Sequence, residues 1–168
     1  QFSVCKNTTF KESFLMKSRN GRITVFTITL FALCRLVPAA EPGKPDKDAP
    51  MEFTKTDSGL KYRITRESDG AKPAATDNVT VHYRGWLPDE TGDGGEEFDS
   101  SYKRDSPATF PLNQVIAGWT EGLQLVAVGG MIELEIPPEL GYGAAGAGGV
   151  IPPNATLRFL VELIEIAD

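Results

Sequence analysis

The chain is nearly empty of the side chains on which most catalytic chemistry rests. Its 168 residues include two cysteines, Cys5 and Cys34, and a single histidine, His82. One histidine cannot build a histidine-based metal site, and a Ser-His-Asp relay would rest on His82 alone, which strand alternation puts on an outer face. Both cysteines lie within the first 34 residues, so the rest of the chain holds no disulfide, thiol nucleophile or cysteine ligand. No apolar run is long enough to span a bilayer: the best, residues 23–34, has twelve residues where about 20 are needed. Positive charge is scarce after residue 40, where 11 basic residues face 22 acidic ones. A net charge of −11 repels a phosphate backbone, which excludes nucleic acid as a partner. No glycine-rich loop follows a strand and opens a helix in the phosphate-cradling pattern. The acids of the loop at 89–97 (DETGDGGEE) do not fall at calcium-loop spacing, so it reads as a solvated hairpin loop.

What is present begins with a targeting signal. From Met16, the residues Lys17, Arg19 and Arg22 form a basic front to the uncharged run ITVFTITLFALC, and VPA at 37–39 offers small residues for cleavage beside Ala40. Residues 16–40 are therefore read as a signal peptide and 1–15 as an extension outside the natural product. A lipid attached at Cys34 is disfavoured by the bulk of Leu33. Cleavage would leave a secreted or periplasmic protein with no cysteine and no stable membrane insertion. Residues 41–54 open on EPGKPDKDAP, rich in proline and charge without apolar period, and are read as a flexible linker. The folded domain is expected over 55–168.

Within that domain apolar residues recur every second position. Leu60, Tyr62 and Ile64 alternate with polar residues, as do Val79, Val81 and Tyr83, then Ile132, Leu134 and Ile136, then Leu157, Phe159, Val161 and Leu163. Period two places each set on one face of a strand. With the opposite faces polar, the pattern predicts an antiparallel sheet buried on a single face. Residues 115–125 (VIAGWTEGLQL) carry Ile116, Trp119 and Leu123 at helical spacing and are expected to cover it. Gly118 and Gly122 weaken that helix, which should be short and held by packing. The glycine-rich stretch 141–149 is read as a mobile hairpin loop. Aromatic and aliphatic residues gather near turns at Tyr83, Phe98, Phe110, Val115, Ile116, Trp119, Tyr142, Ile151 and Phe159. By spacing alone they serve equally well as core or as pocket.

Five blocks decide between these readings by resemblance. VHYRGWL at 81–87, FDSS at 98–101, VIAGWTEG at 115–122, GYG at 141–143 and IPPNATL at 151–157 resemble, in order, the signature blocks of FKBP-type prolyl isomerases. The similarity runs over about 58–166. It implies an α+β fold, a five- to six-stranded antiparallel half-barrel sheet wrapped around one short helix. It also implies a peptidyl-prolyl cis-trans isomerase with no cofactor and no metal, acting on Xaa-Pro-containing polypeptides. Tyr83, Phe98 and Phe159 would wall an apolar pocket floored by Trp119, with Asp99 and the Tyr142 hydroxyl as its polar groups. Val115 and Ile116 would form a rim, the Ile116 N–H receiving a substrate carbonyl. Arg104 would partner Asp99, and Phe110, Val150 and Ile151 would complete the wall or overhanging loop.

Two positions depart from the family's pattern. Ala108 and Ala147 stand where ring-bearing residues commonly contact ligand, which implies a weaker grip on bulky residues before proline and on macrolide inhibitors. The hairpin before Phe98 is also longer than usual, which loops accept cheaply. The competing class is a non-catalytic chaperone that holds Pro-containing segments in the same pocket. Turnover separates the two, because binding planar and twisted amides equally gives affinity without acceleration. No heptad or long helical arm precedes the domain, and a monomer is expected.

Overall fold

The computed structural model describes residues 43–89 and 94–167. The expected extension at 1–15 and signal peptide at 16–40 lie outside the described residues, as do loop residues 90–93. The alternating segments form strands β1 (Thr54–Lys55), β2 (Lys61–Arg66), β3 (Asn78–Pro88), β4 (Gly95–Ser100), β5 (Ala108–Pro111), β6 (Met131–Ile136) and β7 (Leu157–Ala167). All pair antiparallel in the order β1-β2-β6-β7-β3-β4, with β5 also on β3. Two short strands share one edge of β3: β5 pairs Asn78 to Val81, and β4 pairs Arg84 to Pro88. That shared edge, with the two-residue β1, is why the described sheet has seven strands against the five or six expected.

One face closes over the helix α1 (Ala117–Leu123), shorter at both ends than the expected 115–125. Val79, Val81, Ile132, Leu134, Ile136, Leu157, Val161 and Leu163 are fully buried against it together with Leu112 and Leu123. At about 1.5–3 kcal/mol for each such side chain, this layer dominates the favourable side of folding. The glycines that weaken α1 by propensity are what let it pack. A Cβ on Gly118 would lie 2.6 Å from Ile136 Cγ2, and one on Gly122 would lie 2.6 Å from Leu134 Cδ2. Gly118→Ala should therefore destabilise the protein by about 1–3 kcal/mol in urea unfolding, although alanine is the better helix former. An unchanged or raised midpoint would contradict this packing.

The opposite face is not the open polar surface the alternation predicts. Glu133 is 5% exposed and Arg158 2%, with Arg158 Nη2 donating to Glu133 Oε1 at 2.5 Å and Arg63 Nε to Glu133 Oε2 at 2.7 Å. The Phe53 ring lies 4.9 Å from the guanidinium carbons of both Arg63 and Arg158. Residues 43–53, assigned by composition to a flexible linker, lie along this face. Asp46 N–H donates to Thr65 O at 2.8 Å, Gly43 N–H to Glu162 Oε2 at 3.0 Å, and Arg66 Nη2 to Lys44 O at 2.6 Å. A chain without apolar period can still be tied down by main-chain hydrogen bonds to buried arginines, which composition does not reveal.

Candidate active site

At one end of the buried face the aliphatic layer gives way to rings. Trp119, carried by α1, makes edge-to-face contacts with Tyr83 of β3 at 5.3 Å, Phe110 of β5 at 5.7 Å and Phe159 of β7 at 5.2 Å. Phe98 of β4 meets Phe159 at 5.5 Å and 84°. The positive edge of each ring thus points at the negative face of another, the favourable arrangement for a rigid cluster. The rings border a cleft of about 510 Å³ lined by Tyr83, Phe98, Asp99, Phe110, Gln114, Val115, Ile116, Trp119, Tyr142 and Phe159. Trp119 and Phe159 are each 5% exposed and so present ring surface without being free to move into solvent. Gly85 makes the two-sided wall possible: a Cβ there would sit 2.6 Å from Phe159 and 2.7 Å from Phe98. A glycine inside a strand marks such a close approach.

One side of the cleft is polar and internally satisfied. The Tyr83 hydroxyl donates to Asp99 Oδ2, the Arg104 guanidinium donates to Asp99 Oδ1, and Arg104 Nη2 donates to the Tyr83 oxygen at 2.9 Å. Ser100 N–H adds a bond to Asp99 Oδ1 at 2.8 Å. Burial pushes the Asp99 carboxyl up, but the Tyr83 hydroxyl, Arg104 and Ser100 together outweigh it and hold the carboxyl below the usual aspartate range. Burial, reinforced by the Asp99 charge, raises Tyr83 above the ordinary phenol value despite Arg104. At neutral pH the site is a carboxylate fixed by a neutral phenol and a guanidinium. Among the described residues no three His, Cys, Asp or Glu side chains gather as a metal-binding group.

The cleft brings together all six residues expected to act as its wall, floor and polar groups, along with Phe110, Val115 and Ile116. Three others stand back from it. Arg104 sits behind Asp99 as its partner, Ile151 is 8% exposed within the core, and Val150 is 55% exposed. The last two belong to a tight turn in which Val150 N–H donates to Ala147 O and Ile151 and Ala147 form a two-way bridge. Gly148 and Gly149, with φ of 57° and 73°, supply the left-handed conformations that turn requires. Ala108 is half-buried on β5, and neither it nor Ala147 lines the cleft. His82 is half-buried and stacked on Tyr102 at 4.6 Å, not solvated on an outer face. Gln114 lines the cleft but is not among the expected site residues; its only signal in the sequence is that it immediately precedes the block that opens at Val115.

Comparison with known proteins places this geometry. The family model for "FKBP-type peptidyl-prolyl cis-trans isomerase" matches residues 70–164. The chain is 55% identical over 111 residues to the isomerase FkpA of Aeromonas hydrophila, covering 66% of this chain and 39% of that protein. It is 54% identical over 111 residues to an FKBP-type 22 kDa isomerase of Escherichia coli, covering 66% and 52% respectively. It therefore spans about half or less of the length of these curated relatives. The crystal structure of FkpA from Escherichia coli superposes with a TM-score of 0.63 at 45% identity, covering 70% of this chain and 52% of that one. A peptidyl-prolyl cis-trans isomerase from Pseudomonas syringae does so with 0.63 at 36% identity, covering 71% and 84%. With its sheet, helix and ordered blocks inside a family match over most of the folded region, this chain belongs to the FKBP-type peptidyl-prolyl cis-trans isomerase family.

Proposed function

We propose that this protein accelerates rotation about Xaa-Pro bonds in exported polypeptides, through the aromatic cleft. The observation that carries the reading is the union of a rigid ring-walled cleft with one internally neutralised carboxylate, a site suited to sorting amide conformers. An Xaa-Pro amide resists rotation because twisting breaks its resonance, against a barrier of about 18–20 kcal/mol. In the twisted transition state the carbonyl is no longer conjugated to nitrogen, so charge separation falls and water serves the amide less well. A cleft walled by Tyr83, Phe98 and Phe159 over Trp119 favours that form over the planar one. The Ile116 N–H receives a substrate carbonyl, and Asp99 and the Tyr142 hydroxyl orient the segment at the edge. Each tenfold of acceleration needs about 1.4 kcal/mol of such preference.

Export is supported by the basic front and apolar run of 16–34. Among the described residues no helix is long and apolar enough to cross a membrane. The protein works as a monomer, and the small Ala108 and Ala147 leave it with weak affinity for macrolide inhibitors.

The test is the rate of cis-to-trans conversion of a short Ala-Pro peptide with the purified chain. Acceleration is expected; peptide binding without acceleration would replace this reading with a holding chaperone. The pH profile follows from Asp99. Because its carboxyl is held below the ordinary value of about 3.9, the carboxylate persists into acid and is lost only as pH falls through the depressed value. The rate per folded molecule should stay flat from about pH 8 down to about pH 5. An acid limb centred above the ordinary aspartate range would contradict the Asp99 role.

A further inference from the structure

We propose that Ser101 is a positioning residue for this cleft: its buried hydroxyl fixes the main chain of Tyr83 and thereby the Tyr83–Asp99–Arg104 cluster. The inference rests on the isomerase reading above. Its starting point is the gap on the shared edge of β3. β5 pairs this edge up to Val81, and β4 pairs it from Arg84 onward. Tyr83 lies between, with its N–H and C=O facing neither strand. Ser101, the residue after β4, takes both: its N–H donates to Tyr83 O at 3.0 Å, and its Oγ accepts Tyr83 N–H at 2.7 Å. Tyr83 is 6% exposed and Ser101 fully buried, so without that oxygen the N–H would be an orphaned donor away from water.

Ser101 also anchors the turn that delivers Arg104. Its carbonyl accepts the N–H of Arg104 at 3.2 Å and of Ser106 at 3.3 Å, and Asp105 within the turn takes a left-handed φ of 49°. Asp99 lies two residues before Ser101 on the same chain. All three members of the polar cluster are thus referred to this one residue. A hydroxyl offers one proton and two acceptor sites. With one site filled by Tyr83 N–H, the hydroxyl has two further partners, His82 Nδ1 at 2.9 Å and the Tyr83 carbonyl at 3.3 Å. His82, stacked on Tyr102, then holds the hydroxyl's orientation from behind.

The test is a double-mutant cycle on Ala-Pro peptide turnover with wild type, Ser101→Ala, Tyr83→Phe and the combination, each corrected for folded fraction. Ser101→Ala should lower kcat/KM about tenfold, mostly in kcat, and the same change in the Tyr83→Phe background should cost less than about threefold. General loosening of the fold would cost equally in both backgrounds, and that result would overturn the proposal, as would full activity of Ser101→Ala beside an active wild type. If Ser101→Ala does not fold, Ser101→Cys enters the cycle under the same criteria. Amide exchange at Tyr83 is an independent readout that does not depend on turnover. It should quicken in the variant while Val79 and Val81 keep their protection, and unchanged exchange at Tyr83 would overturn the proposal. A wild type without acceleration would instead remove the isomerase reading.

Discussion

Truncating Phe98 to alanine should lower kcat/KM for an Ala-Pro peptide by roughly 30- to 160-fold, equivalent to about 2–3 kcal/mol of lost transition-state preference. Phe98 is half-buried on β4 and holds Phe159 edge to face at 5.5 Å, so its loss removes one wall and frees the other. Water then reaches the bound amide, and the advantage of the twisted form, which depends on its absence, shrinks. Because Phe98 caps the cleft and is not part of the fully buried layer, the cost in folding stability should be smaller than for a core phenylalanine. The measurement is peptide isomerisation at fixed folded fraction, compared with Asp99→Ala. Asp99→Ala strands the partly buried Tyr83 hydroxyl and leaves Arg104 without its carboxylate, so it should also lose activity, by a different route. Retention of more than half the wild-type rate in Phe98→Ala would show that chemistry does not use this wall.

The site was legible in the sequence to the extent that a strand pattern carries it. Tyr83 and Phe159 fall on inward positions of alternating runs, and Trp119 falls on the inward stripe of the helix, so period alone placed three of the rings near one another. Period did not say that they border a cleft; the ordered blocks did. Features without period are not legible in this way. Gly85 reads as a weak point in a strand until the two phenylalanines behind it are seen. Ser101 is an unremarked polar residue in FDSS until the gap between β4 and β5 gives its hydroxyl a task. Alternation puts His82 on an open face because it assigns sides but not what packs over them. The resemblance puts Ile151 in the wall or overhanging loop, yet the bridge to Ala147 draws it into the core.

The same failure of alternation, on the outer face of β6, yields the second large effect. Glu133→Ala should destabilise the protein by about 3–5 kcal/mol, seen as a urea midpoint lowered by about 2 M for an m-value near 2 kcal/mol/M. Glu133 receives Arg158 at 2.5 Å and Arg63 at 2.6 Å, and Arg63 and Arg158 both carry Phe53 over their guanidinium groups. Removing the carboxylate leaves Arg158, 2% exposed, as buried charge without its main counterion. The penalty reflects what is left behind more than what the ion pairs contribute. Replacing Arg63, Glu133 and Arg158 together by apolar residues of similar volume should therefore cost far less than the single change, and can even stabilise. A loss below about 1 kcal/mol in Glu133→Ala would mean that water reaches these arginines and that residues 43–53 do not seal the face. The two faces of β6 can also be separated by function. Leu134 points inward opposite Phe159 in the register, whereas Glu133 points away from the cleft. Peptide turnover per folded molecule should thus survive Glu133→Ala while stability falls, the reverse of the outcome expected for Phe98→Ala.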